Sequence, residues 1–296
     1  MADHPMSSSN RDTTANTHPL PKNVIRRHEA SKWRAGAELA LDRTRTTARI
    51  IHALVLREIM TRFGRENMGF IWLVLEPLIL TALVMFAWTL MYGTTKHGVT
   101  VVQIVLSGYS MVTLWRHMVG RFSHCFKHNA GLMFHRNVKP FDAIIARFIL
   151  ETLGTLLSFV IAYVALYLTD MIAPMHDVYL MVIAWFLMAF FSFSVALILA
   201  ACQELWEHTE KFVQPLMYVT LPLTGLFFMV SWIPSDYRYI FLLSPIIHCV
   251  EMFRAGLIGP SVEAFYDTGF VLVVTVFMTA FALLLMRKAE ANIRIE

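Results

Sequence analysis

The sequence predicts an all-α membrane protein with six transmembrane helices. Hydrophobic residues make up 57% of the 296 residues and charged residues only 16%, whereas a soluble domain carries about 25% charged residues. The mean hydropathy is +0.56. The apolar residues are concentrated in runs of about 20, the length that a helix needs to cross a hydrocarbon core about 30 Å thick. Composition and run length together therefore predict a chain that crosses the membrane several times.

The region before the first apolar run divides into two predicted segments. Residues 1–30 are rich in Ser, Thr, Asn, Pro and His without periodicity, which is typical of a disordered tail. Residues 31–69 are predicted to form a cytoplasmic segment that ends in an amphipathic helix. The first run starts only near Trp72, too far along for a cleavable signal peptide, so we expect the whole region to stay in the cytoplasm.

The amphipathic helix is predicted from a four-residue repeat. Apolar residues recur at every fourth position from Ile51 to Phe63, while Arg57, Arg62 and Arg65 fall on another face. This division of faces is typical of a helix that lies in the membrane interface and meets anionic lipid headgroups.

Six apolar runs in residues 70–296 predict a six-span transmembrane domain. The second run is the weakest, because Gln103, Ser107 and Tyr109 make one of its sides polar. Such a side suits a helix that faces a protein partner or a wet cavity rather than lipid. The runs lie at about residues 70–91, 99–120, 143–168, 178–201, 212–231 and 269–287.

The region around the fifth span contains helix-breaking residues. Pro215 and Pro222 predict a kink within that span. Between the fifth and sixth spans, the apolar pieces Ile240–Leu243 and Ile246–Ile258 are too short to cross the membrane. They predict short re-entrant helices on the periplasmic side, where irregular backbone must be buried in protein or line water.

The topology follows from the charges of the connecting segments. Residues 116–141 contain five Lys and Arg residues and no acid, whereas residues 169–177 contain neither Lys nor Arg. Basic connections remain in the cytoplasm. With an even number of spans, both termini are expected to be cytoplasmic.

The sequence lacks the pattern of a nucleotide or metal site. A phosphate-binding loop needs a Lys and a hydroxyl residue after its second glycine, and the nearest string, Gly64 to Gly69, is followed by neither. His124 and His128 have the helical spacing of two zinc ligands, but a third ligand and a nearby acid are missing. We therefore expect no cofactor, no metal and no catalytic residue on this chain.

Charged residues inside spans need partners, since an Asp, Lys or Arg at a helix centre costs about 2.5–3.5 kcal/mol on the insertion scale. Glu76 in the first span is expected to reach Arg62 or Arg65, and a structural and a functional role are both open for it. Arg147 and Glu151 are one helical turn apart and are expected to pair.

Three aromatic residues follow the kink of the fifth span: Phe227, Phe228 and Trp232. Their rings suit two roles that the sequence does not separate. They would stack on sugar faces, or they would form part of the core or of the aromatic belt at the membrane interface.

The basic helix and the start of the first span carry a recognisable motif. The string LREIMTRFGR from Leu56 to Arg65, then MGFIW from Met68 to Trp72, then Glu76-Pro77 resembles the membrane subunits of type-2 ABC exporters for polysaccharides. Among them it is most similar to the KpsM-type capsule permeases. The resemblance extends over roughly residues 45–296.

The resemblance implies a homodimer in the bacterial inner membrane, assembled with a pair of separate ATPase subunits that hold ATP and Mg. It implies a lipid-linked capsular polysaccharide as substrate, a periplasmic co-polymerase and an outer-membrane channel, and no nucleic acid. The residues expected to contact substrate are Arg57, Arg62, Arg65, Trp72, Glu76, Arg116, Arg121, Phe227, Phe228 and Trp232. The residues expected to contact the ATPase are Lys127, His128, Arg136, Glu204, Glu207 and Glu210.

Three other functions compete with capsule export. An exporter of O-antigen or teichoic acid would share every feature except the substrate. A membrane-embedded glycosyl- or acyltransferase would need a cluster of catalytic acids, histidines or metal ligands, and the sequence contains no convincing one. An ion channel or passive pore would fit the pattern of spans alone.

Overall fold

The computed structural model describes residues 44–60, 69–96, 98–122, 140–206 and 208–293. The chain divides into two units, residues 1–49 and residues 50–296. Of the first unit only residues 44–49 are described, and they are helical. The predicted Met1–Ala30 tail lies outside the described residues.

The described residues are almost entirely helical. Helix α1 covers residues 44–60. It is followed by α2 (Gly69–Tyr92), α3 (Val101–Phe122), α4 (Pro140–Leu168), α5 (Val178–Leu205), α6 (Thr209–Thr220), α7 (Ser235–Phe241), α8 (Pro245–Ile258) and α9 (Thr268–Ile293). Two short strands, β1 (Thr95–Lys96) and β2 (Val99–Thr100), form an antiparallel hairpin between α2 and α3.

Within the described residues, four helices are long and apolar enough to cross a membrane. These segments are Val74–Tyr92, Phe141–Leu168, Val178–Leu205 and Thr268–Ala289. Helices α7 and α8 add a fifth candidate if they are taken together, although they meet at an angle of 111°. The fold class is therefore confirmed as helical with four to five apolar candidate spans, and the number six stays a prediction.

Helix α3 is the central helix of the second unit. It packs against α2, α4, α5 and α8, and most of its side chains are buried. One group on the predicted polar side of α3 has a hydrogen-bond partner within the helix, since the Ser107 hydroxyl donates to the Gln103 carbonyl at 2.7 Å. Gly108 allows a close approach, because a Cβ there would lie 2.6 Å from Nη2 of Arg254 on α8.

The predicted fifth span is not one helix, and this part of the prediction is wrong. Helix α6 ends at Thr220, and a 3₁₀ turn, Leu221–Thr224, follows it. Pro222 has no N–H and cannot continue the hydrogen-bond ladder, and Gly225 adopts a left-handed φ of +74°. The 12-residue helix α6 rises only about 18 Å. The expected kink is therefore a complete break.

Of the short apolar pieces after this break, Ile246–Ile258 lies within α8, whereas Ile240–Leu243 begins in the last two residues of α7 and ends in a turn. Helix α8 is buried against α3, α5 and α9. Gly256 brings α8 against the start of α5, where the Asp177 N–H donates to the Gly256 carbonyl at 2.8 Å. A Cβ at Gly256 would lie 2.8 Å from the Asp177 carbonyl oxygen. Protein therefore surrounds α8, as a re-entrant piece requires.

Candidate functional site

A polar cavity of about 330 Å³ lies between α2, α3 and α6. It collects charged and hydroxyl side chains from α2 and α3 and an amide side chain from α6. Three predicted substrate residues, Glu76, Arg116 and Arg121, meet in it. The lining is completed by Leu80, Tyr109, Thr113, His117, Gly120, Gln214 and Met217.

The two arginines of the cavity have different surroundings. Arg121 Nη2 donates to Glu76 Oε2 at 2.8 Å, with side chains that are 26% and 43% exposed. The guanidinium of Arg116 lies over the Tyr218 ring, 6.0 Å from its centroid. In the described part of the chain, no carboxylate lies within 4.0 Å of Arg116. Arg116 therefore contributes to the cavity a positive charge that is not paired with any described carboxylate.

Glu76 was predicted to pair with Arg62 or Arg65, which lie outside the described residues. Its partner in the structure is Arg121, which the antiparallel arrangement of α2 and α3 brings to the same level. This contact joins residues 45 positions apart. Glu76 thus contributes both to the cavity wall and to the connection between two helices.

Arg147 is the centre of a second ionic contact. Its Nε and Nη2 donate to Glu58 Oε1 on α1 at 3.1 and 2.7 Å, and its Nη1 donates to the Arg121 carbonyl at 2.6 Å. The predicted pairing of Arg147 with Glu151 is therefore wrong. Glu151 is fully buried, and its Oε2 lies 3.8 Å from Arg121 Nε and 3.6 Å from His117 Nδ1.

These contacts form a continuous chain of residues: Glu58, Arg147, Arg121 and Glu76. The chain connects α1, α4, α3 and α2 in that order. Removing one member of a buried ion pair leaves the other charge uncompensated, at a cost of about 3–5 kcal/mol. Helix α1 and the wall of the cavity are therefore connected through hydrogen bonds.

An aromatic cluster lies where α2 ends. The Trp88 and Phe227 rings are stacked, with centroids 5.9 Å apart and planes 16° apart, and Tyr92 lies 5.1 Å from Trp88. The ammonium of Lys96 lies 5.1, 3.8 and 4.8 Å from the ring centroids of Trp88, Tyr92 and Trp232. The structure thus brings the predicted residues Phe227 and Trp232 to one site.

Phe228 is not part of that cluster. Its ring packs edge-on against Phe241 of α7, with centroids 5.0 Å apart. Its carbonyl accepts a hydrogen bond from Arg254 Nη1 at 2.8 Å. The neighbouring residue Phe227 therefore remains the better candidate for stacking on a ligand.

A buried charge pair on α8 holds the irregular segment that carries these aromatics. Arg254 donates to the carbonyls of Leu226 and Phe228, and Glu251 accepts from the Val230 N–H at 3.3 Å. Backbone groups outside a helix need such partners when they are buried. Sequence reasoning missed both residues, although opposite charges three positions apart in an apolar stretch are a usable signal.

The cavity and the aromatic cluster lie at opposite ends of the α2–α3 pair. Glu76 and Tyr92 are 16 residues apart on α2, which corresponds to about 24 Å at a rise of 1.5 Å per residue. The hairpin of β1 and β2 joins the two helices at the aromatic end. Both places are therefore positioned by the same two helices.

The remaining predicted site residues are dispersed. Arg57 lies on α1 and Trp72 is exposed on α2. Glu204 lies in the last turn of α5, and Glu210 is in the first turn of α6. Six predicted residues lie outside the described part of the chain: Arg62, Arg65, Lys127, His128, Arg136 and Glu207.

Comparison with known families identifies the class of this protein. The family model of the ABC-2 type transporter matches residues 49–258, well over half of the chain. The chain therefore belongs to the ABC-2 type transporter membrane family.

Several relatives narrow the comparison. The chain is 36% identical over 245 residues to the capsule polysaccharide export inner-membrane protein BexB of Haemophilus influenzae, covering 83% of this chain and 92% of BexB. It is 33% identical over 266 residues to the capsule polysaccharide export inner-membrane protein CtrC of Neisseria meningitidis serogroup B, covering 90% and 97%. It is 27% identical over 227 residues to the polysialic acid transport protein KpsM of Escherichia coli, covering 75% and 88%. The resemblance to KpsM-type permeases is confirmed.

Proposed function

We propose that this chain is the membrane permease subunit of an ABC exporter that moves a lipid-linked capsular polysaccharide from the cytoplasm to the periplasm. The observation that carries the proposal is the basic cavity between α2, α3 and α6, in a chain whose relatives are named for capsule polysaccharide export. ATP hydrolysis would reside on a separate ATPase chain, which would also hold ATP and Mg. The permease itself would bind and guide the polymer.

The proposed topology has six crossings, with both termini in the cytoplasm of the inner membrane. The crossings would be α2, α3, α4, α5, α9 and the segment formed by α6 with the turns after it. The length of α3 supports its place, since 22 residues rise about 33 Å. Helices α7 and α8 would be the re-entrant pieces on the periplasmic side. The cavity would then open toward the cytoplasm, and the aromatic cluster toward the periplasm.

The first step would be capture of the anionic lipid-linked end. Arg57, Arg62 and Arg65 would meet it at the membrane interface, with Trp72 beside them, because basic residues concentrate anionic headgroups there. Arg116 would bind the anion inside the cavity. Its lack of a carboxylate neighbour among the described residues supports this role, as does its position over the Tyr218 ring.

Arg121 and Glu76 would tune the strength of this binding. Because Glu76 neutralises part of the Arg121 charge at 2.8 Å, the cavity has less net positive charge than its arginines alone would give. A cavity of about 330 Å³ is near the lower limit of small-molecule pockets, about 300–1,000 Å³. It would hold a headgroup or a short piece of the polymer. A second copy of the chain, in the proposed homodimer, would supply the opposite wall of a longer path.

The proposed ATPase contacts lie at the cytoplasmic ends of the helices. Glu204 and Glu210, together with Glu207, would form one contact, and the segment with Lys127, His128 and Arg136 would form another. The pair of Glu58 with Arg147 supports a transmission role for α1, since it fastens the interface helix to α4. A periplasmic co-polymerase and an outer-membrane channel would receive the polymer.

The test is a charge series at Arg116 in cells that depend on this chain for capsule. Arg116→Glu should abolish surface polysaccharide and cause polymer to accumulate inside the cell, while Arg116→Lys should retain most export. Arg287→Glu is a matched control, since Arg287 is exposed on α9 and does not line the cavity.

Membrane abundance and co-purification of the ATPase must be measured for each variant, so that lost assembly is not mistaken for lost binding. Normal export by Arg116→Glu at normal abundance would contradict the proposed role of the cavity.

A further inference from the structure

Lys96 occupies an unusual place in the fold. It pairs with Val99 across the hairpin of β1 and β2, and directly opposed residues of an antiparallel pair share a face. Val99 is buried in a small core with Ile104 and Met229. The hairpin therefore directs Lys96 toward the body of the protein rather than away from it.

The ammonium of Lys96 lies close to three aromatic rings. The nearest is Tyr92, 3.8 Å from ammonium to ring centroid, and Trp232 and Trp88 follow at 4.8 and 5.1 Å. A cation is attracted to such ring faces within about 6 Å. Among the residues that the structure describes, no carboxylate lies within 4.0 Å of Nζ. The site thus holds a positive charge on an apolar platform of rings.

Two of the rings in this cluster are partly accessible to a ligand. Trp88 and Phe227 are stacked nearly parallel, and Phe227 and Tyr92 are 41% and 42% exposed. Exposed ring faces are partly negative and attract C–H groups, which the faces of pyranose rings present. A neutral sugar would use only the rings, whereas a sugar with an acidic group would also form a charge-assisted hydrogen bond with the ammonium.

We propose that Lys96, with Tyr92, Phe227 and Trp232, forms a binding site for anionic sugar units of the exported polymer and selects acidic over neutral glycans. This proposal rests on the proposed export function and adds the substrate class. The site lies about 24 Å along α2 from the Arg116 cavity. It would therefore contact a different part of the polysaccharide than the cavity does. The anionic group is a carboxylate or a phosphodiester, since both accept from an ammonium.

The decisive variant is Lys96→Met, compared with Lys96→Arg. Methionine keeps an apolar contact with the three rings, so the aromatic cluster stays packed while the charge is lost. Export of the native polymer should fall about tenfold in Lys96→Met, the loss of one charge-assisted contact, and Lys96→Arg should restore most of it. Membrane abundance and ATPase co-purification should not change in either variant.

A direct binding measurement distinguishes a carboxylate ligand from a phosphodiester ligand. The purified permease–ATPase complex in phosphatidylcholine nanodiscs is titrated with tetragalacturonate, with its carboxyl-reduced neutral form and with a glycerol-phosphate oligomer. Binding of at least one anionic probe that exceeds the neutral form about tenfold, and that Lys96→Met removes, supports the site. The anionic probe that binds identifies the group.

Two results would overturn the inference without affecting the proposed function. One is wild-type export by Lys96→Met, together with equal binding of charged and neutral probes. The other is that Lys96→Met changes only the retention of added phosphatidylglycerol, which would make the site a lipid site. Failure of the wild-type chain to export any polysaccharide would refute the proposed function itself.

Discussion

Replacing Arg147 tests whether the ionic chain from α1 to α2 stabilises the fold. The side chains of Arg147 and Glu58 are 7% and 15% exposed, so water screens their interaction weakly. Arg147→Met removes both hydrogen bonds to Glu58 and the one to the Arg121 carbonyl, and it leaves the Glu58 carboxylate without this partner. We expect the free energy of unfolding to fall by about 3 kcal/mol.

The measurement is a denaturant titration of the purified protein in detergent, followed by tryptophan fluorescence. Arg287→Met is the matched control, because Arg287 is exposed and exposed substitutions usually change stability by no more than about 0.5 kcal/mol. The double variant, Arg147→Met with Glu58→Gln, measures the interaction energy between the two residues. Since removing both charges avoids an uncompensated one, the double variant should recover at least about 1 kcal/mol relative to the sum of the single variants.

Two outcomes would contradict this reasoning. Arg147→Met that costs no more than Arg287→Met would show that the pair contributes nothing to stability. Additive single effects would show that Arg147 and Glu58 act independently, and the connection between α1 and the cavity wall would then have no energetic support.

Two further predictions concern packing and the aromatic residues. Gly108→Ala should destabilise the protein by about 1–3 kcal/mol, because the new Cβ would lie 2.6 Å from Arg254 Nη2. Gly120→Ala is the control and should be tolerated, since the nearest atom to its Cβ would be 3.6 Å away. Denaturant titration compares the two variants, and equal stability would contradict the close packing at Gly108. Phe227→Ala should reduce polysaccharide export at unchanged membrane abundance, whereas Phe228→Ala should lower the abundance itself, because the Phe228 ring packs against Phe241 of α7. Quantitative immunoblotting measures the abundance and a surface-polymer assay measures the export. The reverse pattern would refute the assignment.

The long helices were predictable because run length alone determines them. The predicted span at 178–201 lies within α5, Val178–Leu205, and the one at 269–287 lies within α9, Thr268–Ile293. Both runs are continuous and apolar, so no tertiary contact is needed to explain them. The prediction of one kinked helix over 212–231 failed because the run has the length of a span, although Pro222 and Gly225 were present as helix breakers.

The ionic contacts were less predictable, because their partners are distant in sequence. Arg147 and Glu151 have the right helical spacing, and the local rule therefore favoured them as a pair. The actual partner of Arg147 is Glu58, 89 positions earlier. Helical periodicity describes one helix at a time, so it cannot indicate which face of α1 meets α4. Arg116 and Arg121 were predicted to contact substrate, but their meeting with Glu76 in one cavity was not predicted, since it depends on how α2, α3 and α6 pack.

The placement of the positive charges agrees with a path that binds an anion at both ends without trapping it. Conduction requires sites that attract the ligand but also release it. At the cavity, Glu76 offsets Arg121 and leaves Arg116 as the main attraction. At the aromatic end, Lys96 is a single charge that the rings stabilise without neutralising. In the proposed path, a polymer with repeated acidic groups would exchange contacts between these weak sites, and the separate ATPase would supply the direction.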